Sequence, residues 1–178
     1  EHDHGGLDPH AWHSLTNARV YVANILAALI NSDPEGASIY AENAAAYLTK
    51  IDSTEAMVKA VVATLPKNRR TIVTSHDAFG YVASRYGFEI HAIAGLSTQN
   101  SPSVTTLAEL KEEAEEGIGA LLLEENSIAA YGETLARETG LQTLSINPIA
   151  FIVPAGDSYL TLMQKNLETF AAALKCNG

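Results

Sequence analysis

Thr71-Ile72-Val73-Thr74 runs directly into Ser75-His76-Asp77-Ala78-Phe79-Gly80-Tyr81. A short β-branched stretch ends in polar residues and a helix follows at once, from about Ala78 to Tyr86. The same change recurs downstream. Glu89–Ala94, Ala120–Glu124 and Gln142–Ile146 read as strands, with helices predicted over Val104–Glu116, Ile128–Thr139 and about Asp157–Leu174. Strand and helix alternating at this spacing make a parallel sheet covered on both faces. Ligands of such sheets bind at the carboxyl ends of the strands, where His76 falls.

Upstream the pattern is helical. Residues 14–31 carry Val20, Ile25, Leu26, Leu29 and Ile30 among small residues, which fits a buried helix. Asp33-Pro34 restarts the chain, Asp33 as N-cap and Pro34 at the first helical position, where its missing N–H costs nothing. From there to Pro66 the seam Ala44, Leu48, Ile51, Val58, Val62, Leu65 advances by threes and fours or their sums. One helix of about 30 residues spans roughly 45 Å, more than the width of a small lobe, so it is expected to connect two lobes.

The 178 residues suffice for one sizeable core, or for one lobe with part of another. A formal net charge of −10 argues against nucleic acid as a partner, because a phosphate backbone needs clustered Lys and Arg. Cys176 is the only cysteine, which rules out an internal disulfide and a thiolate metal cluster. No apolar run is long enough to span a bilayer. The chain opens on Glu1-His2-Asp3-His4-Gly5-Gly6 with neither Met nor signal segment, and upstream sequence is expected.

Three side chains stand out as candidate metal ligands: His10 in Asp8-Pro9-His10-Ala11-Trp12, His76, and Asp157 after Gly156. Imidazole nitrogen and carboxylate oxygen suit zinc, and donors from separate segments suit a cleft better than a finger folded around its ion. Each has a plainer reading by itself. His10 would be a surface histidine, His76 a loop histidine bonded to the next turn, and Asp157 a helix N-cap.

Their neighbours decide between these readings. The chain resembles the carboxyl-terminal two-thirds of solute-binding proteins of zinc and manganese ABC transporters, the ZnuA-like family. Asp8-Pro9-His10-Ala11-Trp12 is similar to the family's DPHxW motif, and Ser75-His76-Asp77-Ala78-Phe79-Gly80-Tyr81 to its SHDAFGY motif. Ala120-Leu121-Leu122-Leu123-Glu124 resembles its strand ending in Glu; Asp157, Tyr159, Met163 and Asn166 match its terminal DxYxxxMxxN pattern. The resemblance implies two α/β lobes bridged by one long helix, with the metal between them. The implied fold is α/β: a parallel-sheet lobe with helices on both faces, attached to a long bridging helix and the end of a second α/β lobe. Residues 1–32 would end the amino-terminal lobe, 33–66 form the inter-lobe helix, and 67–178 the carboxyl-terminal metal-binding lobe.

The resemblance further implies His10, His76 and Asp157 as metal ligands, with a fourth, a histidine, upstream of this chain. Manganese members usually carry Glu at the position of His76, so zinc is the implied cargo, Zn(II) as transported ligand. The implied partners are a zinc ion, the membrane permease of an ABC importer and, as a candidate donor, a periplasmic zinc chaperone. The implied location is periplasmic, or lipid-anchored outside the cytoplasm. His2 and His4 resemble the end of a His-rich loop that either captures zinc or is merely solvated. Two departures from the family are His13, where an apolar residue is usual, and Asn147, where Asp is common. His13 is a candidate for a supporting group or alternative ligand; His91, inside a strand, reads as structural.

The chief rival function is a zinc-dependent hydrolase, since catalytic zinc keeps three protein ligands and an open position. The sequence has no HExxH, and the adjacent residues Ser75-His76-Asp77 cannot converge as a triad. Neither GxGxxG nor GxxxxGK[ST] is present to support a nucleotide-binding domain. A metal-binding surface adhesin, an activity attributed to some relatives, is the remaining alternative.

Overall fold

A computed structural model of the chain describes residues 8–65, 70–94, 104–115, 117–118, 120–124, 136–150 and 153–176. Among the described residues four strands, β1 (Thr71–His76), β2 (Glu89–Ala94), β3 (Ala120–Glu124) and β4 (Gln142–Ile146), form one sheet in the order β2-β1-β3-β4. All three pairings are parallel. The helices described over their full length are α1 (Leu15–Ser32), α2 (Ala37–Ala63), α3 (Gly80–Tyr86), α4 (Val104–Glu115) and α5 (Tyr159–Cys176). Most of the helix predicted over Ile128–Thr139 lies outside the described residues; 136–139 are helical.

Period-two alternation along the strands feeds two apolar layers. Ile72, Ala120, Leu122 and Ile146 pack on one face with Val82 of α3, Val58 of α2 and Phe170 and Leu174 of α5. Val73, Leu121 and Ile93 point to the other face and pack with Leu141, Ala114 of α4 and Ile118. A third cluster joins Leu15 and Ala18 of α1, Ile51 of α2 and Met163 of α5. The predicted α/β lobe with helices on both faces is the one observed.

The Asp33-Pro34 start is realised in two steps. Asp33 accepts the Gly36 N–H at 3.3 Å, and Pro34–Gly36 forms one 3-10 turn before α2 proper begins. The predicted seam is the buried side of α2, with Ile51, Val58 and Leu65 fully inside. At 27 residues, α2 is about 40 Å long. Glu55 on the same helix is buried and binds Arg19 of α1 at 2.7 Å, Lys59 at 3.2 Å and Arg85 of α3. Burial alone would raise its pKa, but the hydrogen bonds from Arg85, Arg19 and Lys59 outweigh that and hold the carboxyl at about 2.

α1 is not the buried helix expected, since Val20, Ile25 and Leu29 are 51%, 59% and 42% exposed, and two boundaries around His76 also differ from the sequence reading. β1 continues through Ser75 and His76, because His76 pairs in register with Ala94 of β2. His76 is therefore the last residue of a strand and does not begin a helix; α3 starts only at Gly80. At the end of α3, Gly87 adopts φ +72°, the left-handed conformation that lets its N–H reach the Ala83 carbonyl at 2.9 Å.

Candidate metal centre

The Asp8-Pro9-His10-Ala11-Trp12 segment is pinned from three sides. Trp12 Nε1 donates to the Pro148 carbonyl at 3.0 Å, Tyr159 Oη donates to the Trp12 carbonyl at 2.7 Å, and Tyr81 Oη donates to the Asp8 carbonyl at 3.2 Å. The segment is thereby fastened to the turn after β4, to α5 and to α3. His10 starts a 3-10 turn, its carbonyl accepting the His13 N–H at 3.1 Å. The surface-histidine reading of His10 fails: the residue is 8% exposed, since the pinned segment presses it against the sheet edge.

At that edge His10 meets His76, their ring centroids 5.3 Å apart at an interplanar angle of 70°. Each ring is braced by a carboxylate. Asp8 Oδ1 accepts from both the backbone N–H of His10, at 2.9 Å, and its ring Nδ1, at 2.8 Å. A Cβ on Gly80 would stand 3.1 Å from Asp8 Oδ2, so this glycine permits the carboxylate to approach the first turn of α3. Nδ1 of His76 contacts Oε1 of Glu124, and the two residues are each 6% exposed. The His76 carbonyl accepts from Ala78 N–H at 3.1 Å and from Thr74 Oγ1 at 2.9 Å, which fixes the backbone beneath the ring.

A carboxylate only accepts, so a neutral ring that faces one at Nδ1 carries its hydrogen there and leaves its lone pair on Nε2. Histidines that ligate metals are usually held in this way, with the second nitrogen donating to a carboxylate. The donor chemistry fits zinc.

Asp157 stands apart from the pair. Lys165 Nζ reaches both of its oxygens, at 2.7 and 2.8 Å, and Thr161 Oγ1 donates to Oδ1 at 3.1 Å. The Lys165 ammonium holds this carboxyl below the usual range. Asp157 is not the N-cap of α5 either: Ser158 is, exchanging side-chain and backbone hydrogen bonds with Thr161 at 3.3 and 2.7 Å. Among the described residues, no three His, Cys, Asp or Glu side chains converge closely enough to hold an ion.

His13 fills the apolar slot that the family comparison suggested. It is 2% exposed, between the rings of Trp12 and Phe79 at centroid distances of 5.7 and 4.6 Å. Its Nε2 is buried without a hydrogen-bond partner. Burial first, then the neighbouring His10, pushes its pKa down to about 3, although the Asp8 charge opposes this. Asn147 caps its own loop, accepting the Ile149 N–H at 2.8 Å where Ile149 has φ +51°. Asn166 holds that loop through two bonds to the Asn147 backbone, at 3.0 and 2.6 Å. His91 lies exposed on β2, away from the pair, and His2 and His4 fall outside the described residues.

Sequence reasoning passed over the two braces. The Asp-x-His spacing around Pro9 was a usable signal for Asp8, and Glu124 at a strand end beside β1 was one only once strand order was known.

Residues 1–173 match the profile of the family described as ZnuA, zinc-uptake complex component A, periplasmic. The chain is 36% identical over 180 residues to the zinc-binding lipoprotein AdcA of Streptococcus pneumoniae, covering 94% of this chain and 35% of that protein. It is 32% identical over 173 residues to the high-affinity zinc uptake system protein ZnuA of Bacillus subtilis, covering 94% of this chain and 54% of that one. The chain thus spans about a third to a half of these curated relatives. Among solved structures, the periplasmic zinc-binding protein TroA of Treponema pallidum superposes with a TM-score of 0.87 at 26% identity, covering 98% of this chain and 66% of that one.

Proposed function

The chain belongs to the ZnuA family, and from that premise we propose that it captures Zn(II) outside the cytoplasm and delivers it to the membrane permease of an ABC importer. The observation that carries this reading is the pair of buried histidines at the carboxyl edge of a parallel sheet, each braced at Nδ1 by a carboxylate. Such a pair offers two imidazole nitrogen donors side by side, which favours zinc over harder, oxygen-seeking cations. Asp157 is the proposed third ligand. It must exchange the Lys165 ammonium for the metal, and a carboxylate already held ionised is suited to that exchange. A fourth donor comes from outside the described residues, and α2 is the rigid element behind the histidine pair. The protein sits in the periplasm or on a lipid anchor, takes zinc from a chaperone where one exists, and binds its cargo without transforming it.

Metal analysis with a competition titration of zinc against manganese tests the assignment, alongside a hydrolysis assay on the zinc-loaded protein. One tightly held zinc, preferred over manganese and without hydrolysis, is the expected result. A preference for manganese, or zinc-dependent turnover of an ester or peptide, would overturn it.

A further inference from the structure

β1 and β3 are neighbours in the sheet, in register at Val73 with Leu121 and Thr74 with Leu122. Two residues further on, the same register brings His76 level with Glu124, and equal parity along both strands sends the two side chains to one face. Nδ1 and Oε1 face each other there in direct contact, and among the described residues His76 Nδ1 has no hydrogen bond to any other group. Both are almost fully buried. A carboxylate so deep in a protein is costly to desolvate, and the cost is met only where donors face it. The adjoining strand supplies a further tie, since the Glu124 N–H donates to Ser75 Oγ at 3.4 Å.

We propose that Glu124 is the positioning residue of the metal centre: it fixes His76 in the Nδ1–H tautomer and aims its Nε2 lone pair at Zn(II) without itself binding the ion. The inference rests on His76 being a zinc ligand. Its physical content is orientation and basicity. An imidazole can turn about its χ2 torsion and can carry its hydrogen on either nitrogen; only one of these arrangements presents a lone pair to the cleft. Glu124 selects that arrangement before the metal arrives, and its negative charge makes the ring a stronger donor. Asp8 does the same for His10, but from two residues away on the same segment. Glu124 comes from a different strand, so the geometry at His76 is set by the sheet itself.

The test compares Glu124→Ala, Glu124→Gln, His76→Ala and the double variant in the full chain. Zinc affinity is measured by chelator competition, and the tautomer of His76 by long-range 1H–15N correlation on metal-free protein. Glu124→Ala should weaken zinc binding about 10- to 100-fold and shift His76 toward the Nε2–H tautomer. Glu124→Gln keeps an acceptor but not the charge, so it should retain the tautomer and show a smaller loss. The double variant should bind no more weakly than His76→Ala alone. Thermal melts identify any variant that fails to fold, and the Gln variant, which preserves shape, then carries the test. Zinc affinity within twofold of the parent for Glu124→Ala, or an unchanged tautomer, overturns the proposal, as does a Gln variant as weak as His76→Ala, which would make Glu124 a direct ligand. If His76→Ala itself binds zinc like the parent, the zinc reading of the site has failed instead.

Discussion

Replacing His13 by Leu should alter the acid sensitivity of the fold in a calculable way. His13 is 2% exposed and its pKa lies at about 3, against 6.5 for the ordinary side chain. A histidine depressed on folding contributes stability that is complete above 6.5 and is lost as pH falls toward about 3, because the unfolded chain binds a proton that the folded one refuses. At pH 5 the loss through this residue is about 2 kcal/mol relative to pH 8, from about 1.4 kcal/mol for each of roughly 1.5 pH units below the ordinary value. Leu fills the same slot between Trp12 and Phe79 and removes the unpartnered Nε2, so at pH 8 it should be as stable as the parent or about 1 kcal/mol more so. Urea unfolding of chelator-treated parent and variant at pH 8 and pH 5 measures both effects. The variant should escape about 2 kcal/mol of the acid destabilisation. Equal losses in the two proteins would refute the reasoning, since they would mean that His13 accepts its proton as readily folded as unfolded.

Glu55→Gln should destabilise the fold by about 2 kcal/mol at pH 7, the shift to about 2 being discounted because Arg85 and Lys59 are largely exposed. A depressed carboxyl contributes above its ordinary value of 4.5, so the gap between parent and variant in thermal melts should close as pH falls toward about 2. Asn166→Ala, which removes both bonds holding the Asn147 backbone, should cost about 2–3 kcal/mol in denaturant unfolding. Lys165→Met takes away the cation that Asp157 must release; chelator competition should show zinc binding tightened by up to about fivefold, and weaker binding would argue against Asp157 as a ligand.

Most of the sheet was readable because a buried parallel strand leaves a run of apolar and β-branched residues with little else to become. Glu89–Ala94, Ala120–Glu124 and Gln142–Ile146 are observed at the predicted bounds. β1 outran its prediction by Ser75 and His76, two residues with no strand preference that are held by the ladder to Ala94; local propensity does not record a neighbour 18 residues away. The proximity of His10 and His76 was legible only as a resemblance of motifs, since nothing local brings residues 66 positions apart together. Trp12, Tyr81 and Tyr159 do so through their hydrogen bonds. Glu124 was visible as a strand end but its target depended on strand order. The position of Asp157 against Lys165, eight residues along, reflects a turn leading into a helix, and spacing rules for helices do not cover it.

Zinc capture depends most on the histidine pair. Isothermal titration of zinc into the intact protein, comparing the parent with His10→Ala, His76→Ala and Asp157→Ala, and using exposed His91→Ala as the control, addresses it directly. The first two variants should lose at least about 100-fold in affinity and Asp157→Ala somewhat less, each removing a direct bond to the metal, while His91→Ala matches the parent and all four keep their melting behaviour. Parent-like zinc binding by His76→Ala would contradict that dependence.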